Sequence, residues 1–242
     1  MEDARCAFSP IPGGDSSSLF AVFDGHGGAF SSRFAATNIQ RVVCDTEAWK
    51  SRDLSAESLS SALSESLLTL DRELAAEPRM VWDGADGAED CSGATALVAI
   101  VTPDLVAVAN CGDCEALLVT GDDWGGAALS RPHKPTDEGE EKRIVDAGLT
   151  VKEARVDGIL AVSRSLGDFR FKQNAQKKAE EQAVTALAEV QIHVRSAKDV
   201  LLLLACDGIW DVVSHSEAAV LLKGQLQVCG TPLVSCAPLL YA

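Results

Sequence analysis

The chain is short of positive charge: 21 lysines and arginines stand against 36 aspartates and glutamates, a net charge of −15 over 242 residues. Holding a phosphate backbone by electrostatics needs clustered Lys and Arg, so no nucleic-acid partner is expected and a nuclease is disfavoured. Long apolar runs are lacking too. The longest, Val200 to Cys206, falls far below the roughly 20 residues that span a bilayer, and no charged-then-apolar segment opens the chain. The expectation is a soluble protein of the cytoplasm or nucleus without a membrane span. Cys111-Gly112-Asp113-Cys114 has CxxC spacing, yet no second pair is present to complete a zinc site. The eight cysteines are scattered through a chain large enough to fold without staples, so they read as reduced. There is no Gly-x-Ser-x-Gly elbow, and Gly25-His26-Gly27-Gly28-Ala29-Phe30 lacks the third glycine of a dinucleotide loop.

What is present suffices for one core. With 47% hydrophobic residues, the expectation is a single domain over 1–242. Strand-like runs fall at Leu19 to Phe23, Ala96 to Val101, Leu105 to Ala109, Ala116 to Thr120, Ile159 to Val162 and Val200 to Ala205. Thr102-Pro103-Asp104 and Gly112-Asp113 are short turn-like links between neighbouring runs, which predicts antiparallel hairpins. Leu59, Leu63, Leu67, Leu70 and Leu74 recur at helical spacing as one apolar stripe, and Phe30, Phe34 and Ile39 hint at a second helix. Ser214 followed three residues later by Glu217 is a capping box ahead of a third. The fold class is α+β with helices covering sheets. Asp83 to Asp90 and Lys172 to Glu181 read as exposed insertions.

The chemistry gathers at two Asp-Gly steps, Asp24-Gly25-His26-Gly27-Gly28 and Asp207-Gly208-Ile209-Trp210-Asp211, each directly after an apolar run. A strand ending this way delivers a carboxylate at a sheet edge. The glycine lets the backbone approach a ligand closely enough for its carbonyl to join as an oxygen ligand. A single Asp-Gly is more often only a turn, but two at the ends of buried strands reverse that preference. Asp113, Asp168, Glu2 and Asp3 extend the acidic set. Oxygen ligands favour Mg²⁺ or Mn²⁺, and two such ions about 4 Å apart can clamp a phosphoryl group for in-line attack.

In order along the chain, Met1-Glu2-Asp3-Ala4, Phe20 to Gly28, Ser92-Gly93-Ala94-Thr95-Ala96, Val108 to Asp113, His133-Lys134-Pro135, Arg143-Ile144, Leu160 to Asp168 and Leu204 to Asp211 follow a recognisable pattern. Together they resemble the metal-dependent type 2C (PPM-type) protein serine/threonine phosphatases over nearly the whole chain. The resemblance implies a four-layer α/β/β/α sandwich of two antiparallel sheets flanked by helices. It also implies hydrolysis of phosphoserine and phosphothreonine in phosphoprotein substrates by metal-bound hydroxide. Asp24 would bridge two ions, with the Gly25 carbonyl and Asp207 as further ligands and Glu2 and Asp3 acting from the facing strand. Asp113 and Asp211, with Asp207, match the holders of a third, weaker metal, and Asp168 would support that cluster. His26 would act as general acid, so that His26, Asp24 and Asp207 form the catalytic set.

Ser92 and the Ser163-Arg164-Ser165 segment read as structural, and His133 as a surface or supporting residue. The family's arginine before the first motif and its late Asp-Asn pair have no counterpart here. The expectation is therefore a domain cut at both ends, working as a monomer, with a catalytically impaired binding or regulatory module as the alternative.

Overall fold

Residues 1–14, 16–80, 90–121 and 125–229 are described by a computed structural model of the chain. Strands β1 (Ala4–Phe8), β2 (Ser18–Phe23) and β3 (Gly25–His26) precede helices α1 (Phe30–Asp45), α2 (Glu47–Lys50) and α3 (Ala56–Ala75). Next come β4 (Gly93–Ala94), β5 (Ala96–Val101), β6 (Leu105–Cys111), β7 (Glu115–Thr120) and β8 (Gly126–Ala128). The chain continues through α4 (Glu138–Asp146), β9 (Val151–Lys152), β10 (Arg155–Val156), β11 (Leu166–Gly167), β12 (Glu189–Val194), β13 (Asp199–Ala205), α5 (Asp207–Trp210) and α6 (His215–Cys229).

Alternation along the strands sets the layers. Successive side chains of a strand point to opposite faces, and β5 divides its apolar residues accordingly. Ala96, Val98 and Ile100 face a core shared with α1 and α3, whereas Leu97 and Ala99 face a second core. The same division in β6 sends Ala107 and Ala109 one way and Val106 and Val108 the other. In β7, Ala116 and Leu118 join that second core while Leu117 and Val119 face Ala218 and Ala219 of α6. Full burial of each such Val or Leu contributes roughly 1.5–3 kcal/mol, so these alternations decide the order of layers. The result is α1 and α3 on the antiparallel sheet β1-β2-β5-β6-β12, then the antiparallel sheet β13-β7-β8, then α6. This is the four-layer α/β/β/α arrangement expected. A three-stranded ladder, β11-β4-β3, crosses the sheet ends and carries the glycine-rich turn after Asp24.

The leucine stripe of α3 is fully buried, and the Ser55 side chain caps that helix by accepting from the Ser58 amide. The capping box also forms: the Ser214 amide donates to Glu217 Oε2 at 2.9 Å and the Glu217 amide to Ser214 Oγ at 3.3 Å.

Three local expectations are corrected. Gly112-Asp113 does not close a hairpin, because β6 and β7 lie in different sheets. It is a corner between layers, where Gly112 adopts φ +124° and a Cβ would strike the Thr95 side chain. Ile159 to Val162 forms no strand: positive φ at Asp157 and Gly158 folds the chain into a tight turn with one bridge, Val156 to Leu160. Lys172 is not part of an exposed insertion, since its Nζ is buried and donates to both Asp71 carboxylate oxygens at 2.8 Å and to the Ser165 carbonyl at 2.9 Å. Most of the other insertion, Asp83 to Asp90, lies outside the described residues. Strands β1 and β12 were not anticipated, although Val190, Ile192 and Val194 alternate in the second.

Asp71 of α3 also accepts from the Gly167 amide at 2.8 Å, so this ion pair anchors the segment carrying Asp168 to the helix layer. Removing one partner strands a buried charge. Asp71→Ala is expected to cost roughly 3 kcal/mol in urea unfolding; a loss under about 1 kcal/mol would mean that Lys172 finds water instead.

Candidate active site

The ladder between β1 and β2 builds the first half of the site. Ala4 pairs with Phe23, so continuing the register brings Asp3 beside Asp24. Gly25 then runs so close to Glu2 that a Cβ would overlap the Glu2 carbonyl, which also accepts from Ser32 Oγ. The second half comes from the other sheet, where β13 ends at Ala205 and Asp207 opens α5. Asp113 arrives from the corner between β6 and β7. Residues far apart in sequence thus converge where two sheets end side by side.

The electrostatics show how closely they converge. Burial pushes the Asp24 carboxyl up to about 7, with added contributions from the charges of Asp207, Asp3 and Asp113 and a hydrogen bond with Asp207. Three acidic side chains in electrostatic range of Asp24 thus oppose its negative charge. Lys134 partly answers it: its Nζ donates to Asp113 Oδ2 at 2.6 Å. Burial opposes the Lys134 charge, but the Asp113 contact and the charges of Asp207 and Asp211 outweigh it and raise its pKa. Lys134 has no role that the sequence pattern assigns; its sequence signal is a cation in a loop beside a turn rich in acid.

Asp24, Asp207, Asp3 and Asp113 are therefore brought together, with Asp211 close enough to act on the same lysine. Glu2 contributes its backbone, and its side chain is exposed. Asp168 sits elsewhere, buried at φ +52°, with Oδ2 2.7 Å from His26 Nε2 and accepting from Ser165 Oγ at 2.6 Å. Gly93 lies against both, and any side chain there would overlap Asp168 and His26. Burial works against a charged His26, yet the bond and charge of Asp168, then the charges of Asp24 and Asp113, prevail and raise its pKa.

The serines and His133 have other duties. Ser92 is bonded to Ser31 and Ser163 Oγ donates to Glu140 Oε2 at 2.7 Å, both buried. His133 is buried rather than on the surface, with Nδ1 3.0 Å from the Gly112 carbonyl, and burial lowers its pKa. Cys111 and Cys114 belong to different cores on opposite faces, which separates the two ends of the CxxC spacing.

A divalent cation suits this arrangement on two observations. Asp207, Asp3 and Asp113 all act to keep the Asp24 carboxyl uncharged, and the Lys134 ammonium on Asp113 shows that the spot accepts a cation. Asp24, Asp207 and Asp113, with the Gly25 carbonyl, would offer oxygen ligands of the kind hard cations take.

Known proteins are similar to this chain in sequence and fold. The human protein named "Probable protein phosphatase 1N" is 38% identical over 242 residues, covering 99% of this chain and 53% of its own. "Protein phosphatase 2C homolog 2" of Hypocrea jecorina is 39% identical over 228 residues, 91% of this chain and 49% of its own. A crystal structure of a phosphatase from Toxoplasma gondii superimposes with a TM-score of 0.77 at 25% identity, over 95% of this chain and 79% of that one. The chain spans about half the length of the curated relatives it matches. Residues 1–239 match the description Protein phosphatase 2C, and with the acidic cluster placed at the paired sheet ends the chain belongs to that family.

Proposed function

We propose that this chain, acting as one domain over 1–242, hydrolyses phosphoserine and phosphothreonine esters in proteins with the help of Mg²⁺ or Mn²⁺ held at Asp24. The observation that carries the reading is the raised Asp24 carboxyl among Asp207, Asp3 and Asp113, a charge imbalance that a dication relieves. Asp24 and Asp207 would hold the ions, joined by the Gly25 carbonyl and, at a weaker site, by Asp113 and Asp211. When bound, such ions lower the pKa of water and offset charge on a phosphoryl group.

The protein's own residues supply the rest. Asp168 accepts the Nε2 proton of a charged His26 and fixes the ring, which leaves the Nδ1 proton for the departing serine or threonine oxygen. Ser165 and the Asp71–Lys172 pair hold Asp168 in place. Lys134 tempers the repulsion around Asp113. Among the described residues no helix is long and apolar enough to cross a membrane, and Cys44, Cys111, Cys114 and Cys206 are in no disulfide. We take the protein to act as a monomer in a reducing compartment, the cytoplasm or nucleus.

The test is the initial rate of phosphate release from a phosphothreonine peptide as Mn²⁺ is raised. Saturable turnover in the wild type, reduced at least about a hundredfold in Asp207→Ala, is expected. Folded protein without turnover at any Mn²⁺ concentration would overturn the reading.

A further inference from the structure

The acidic cluster has a neighbour of different chemistry. Ala205 of β13 pairs with Glu115 of β7, and one step further along that ladder Cys206 faces Cys114. The two Sγ atoms and a carboxylate oxygen of Asp24 all lie within 4.8 Å of one another. Cys114 is fully buried and its Sγ is 3.0 Å from Thr95 Oγ1, while Cys206 is partly exposed. We propose that Cys114, Cys206 and Asp24 form a binding site for a thiophilic divalent cation, Zn²⁺ or Cd²⁺, which competes with hard cations for the Asp24 carboxylate.

Paired buried thiols can serve simply as small apolar side chains. What distinguishes these two is their third neighbour, an Asp24 carboxylate oxygen within 4.8 Å of both sulfurs, which adds an anionic ligand within reach of a dication. Zinc bonds of about 2.3 Å to sulfur and about 2.0–2.2 Å to oxygen place tetrahedral ligand atoms roughly 3.4–3.8 Å apart, so side-chain shifts of about 1 Å close the site. The sulfurs sit just beyond the paired ends of β7 and β13, and the partly exposed Cys206 leaves a fourth position for water. On binding, two S–H bonds break, two metal–sulfur bonds form and two protons pass to the buffer; nothing is oxidised or reduced. Soft sulfur ligands select Zn²⁺ and Cd²⁺ over Mg²⁺ and Mn²⁺, so the two ion types would exclude each other at Asp24 while preferring different partners.

Cadmium reports its own ligands through a sulfur-to-metal charge-transfer band in the ultraviolet. Reduced, chelator-treated full-length chain would be titrated with Cd²⁺ and the band and bound stoichiometry measured, without reference to turnover. One Cd²⁺ with a thiolate band is expected, its affinity falling at least about tenfold in Cys114→Ser and in Cys206→Ser and unchanged in Cys91→Ser. Asp24→Asn should weaken it as well, and added Mn²⁺ should displace it. Unchanged band and affinity in both cysteine variants, or loss of the band in Cys91→Ser alone, would overturn the proposal. Should Cys114→Ser fail to fold by circular dichroism, the partly exposed Cys206 carries the test. Because the readout is binding, its failure is distinguishable from failure of the phosphatase reading.

Discussion

Asp24→Asn is expected to abolish turnover and at the same time to stabilise the metal-free protein at neutral pH. Ion charge stabilisation is worth several kcal/mol, and each 1.36 kcal/mol is tenfold, so losing a carboxylate that would hold the metal should lower kcat/KM by about 10³-fold or more. The stability effect has the opposite sign. The folded Asp24 carboxyl titrates at about 7, against 3.8 for an ordinary aspartate. Between those values the folded state holds a proton that the unfolded chain has released, so stability of the metal-free protein falls as pH rises from about 4 to about 7 and then levels off. The full difference corresponds to about 4 kcal/mol, and solvent screening at a half-buried carboxylate reduces it to about 1–2 kcal/mol. Asparagine carries no charge and escapes that loss. Urea unfolding of chelator-treated wild type and Asp24→Asn at about pH 5 and pH 8 should show the variant ahead only at the higher pH. Added Mn²⁺ should then stabilise the wild type and leave the variant unmoved. A variant less stable than wild type at both values would mean that Asp24 is compensated within the protein.

The sequence announced the two Asp-Gly steps because their signal is local: an apolar run, a carboxylate and a glycine in succession. It announced the central strands and α3 for the same reason, since periods of two and of 3.6 residues are written in adjacent positions. The corner at Gly112-Asp113 resembles a hairpin in sequence because a short polar link looks alike whether the chain returns to its own sheet or crosses to another; only the packing of Leu97 and Val108 against Ala116 and Leu118 decides that. The opposition of Cys114 and Cys206 was hidden more deeply, as a consequence of register between strands more than 80 residues apart in the chain. Lys172 and Asp71 were missed on similar grounds: a lysine among charged residues reads as solvated until its partner on a distant helix is known. Asp168 was legible as an acidic residue beside a glycine, but its left-handed backbone and its bond to His26 are properties of the assembled ladder β11-β4-β3.

That bond leads to the second large effect, which depends on the leaving group. His26→Ala should slow hydrolysis of a phosphothreonine peptide by about 10²–10³-fold, within the range general acids supply, because an alkoxide cannot depart without a proton. With p-nitrophenyl phosphate the loss should stay below about tenfold, since the nitrophenolate leaves unaided. Asp168→Asn should follow the same pattern at about 10–100-fold on the peptide, the scale seen when a partner that orients a functional histidine is removed. Its pH profile separates orientation from mere folding. Asp168 is the largest influence raising the His26 pKa against burial, so the charged imidazole persists to higher pH in the wild type and activity falls as pH rises through that value. In Asp168→Asn the fall should begin at lower pH with the peptide and be absent with the aryl ester. Equal losses on both substrates, with no movement of the alkaline limb, would show that Asp168 only supports the fold and that the proton comes from another group.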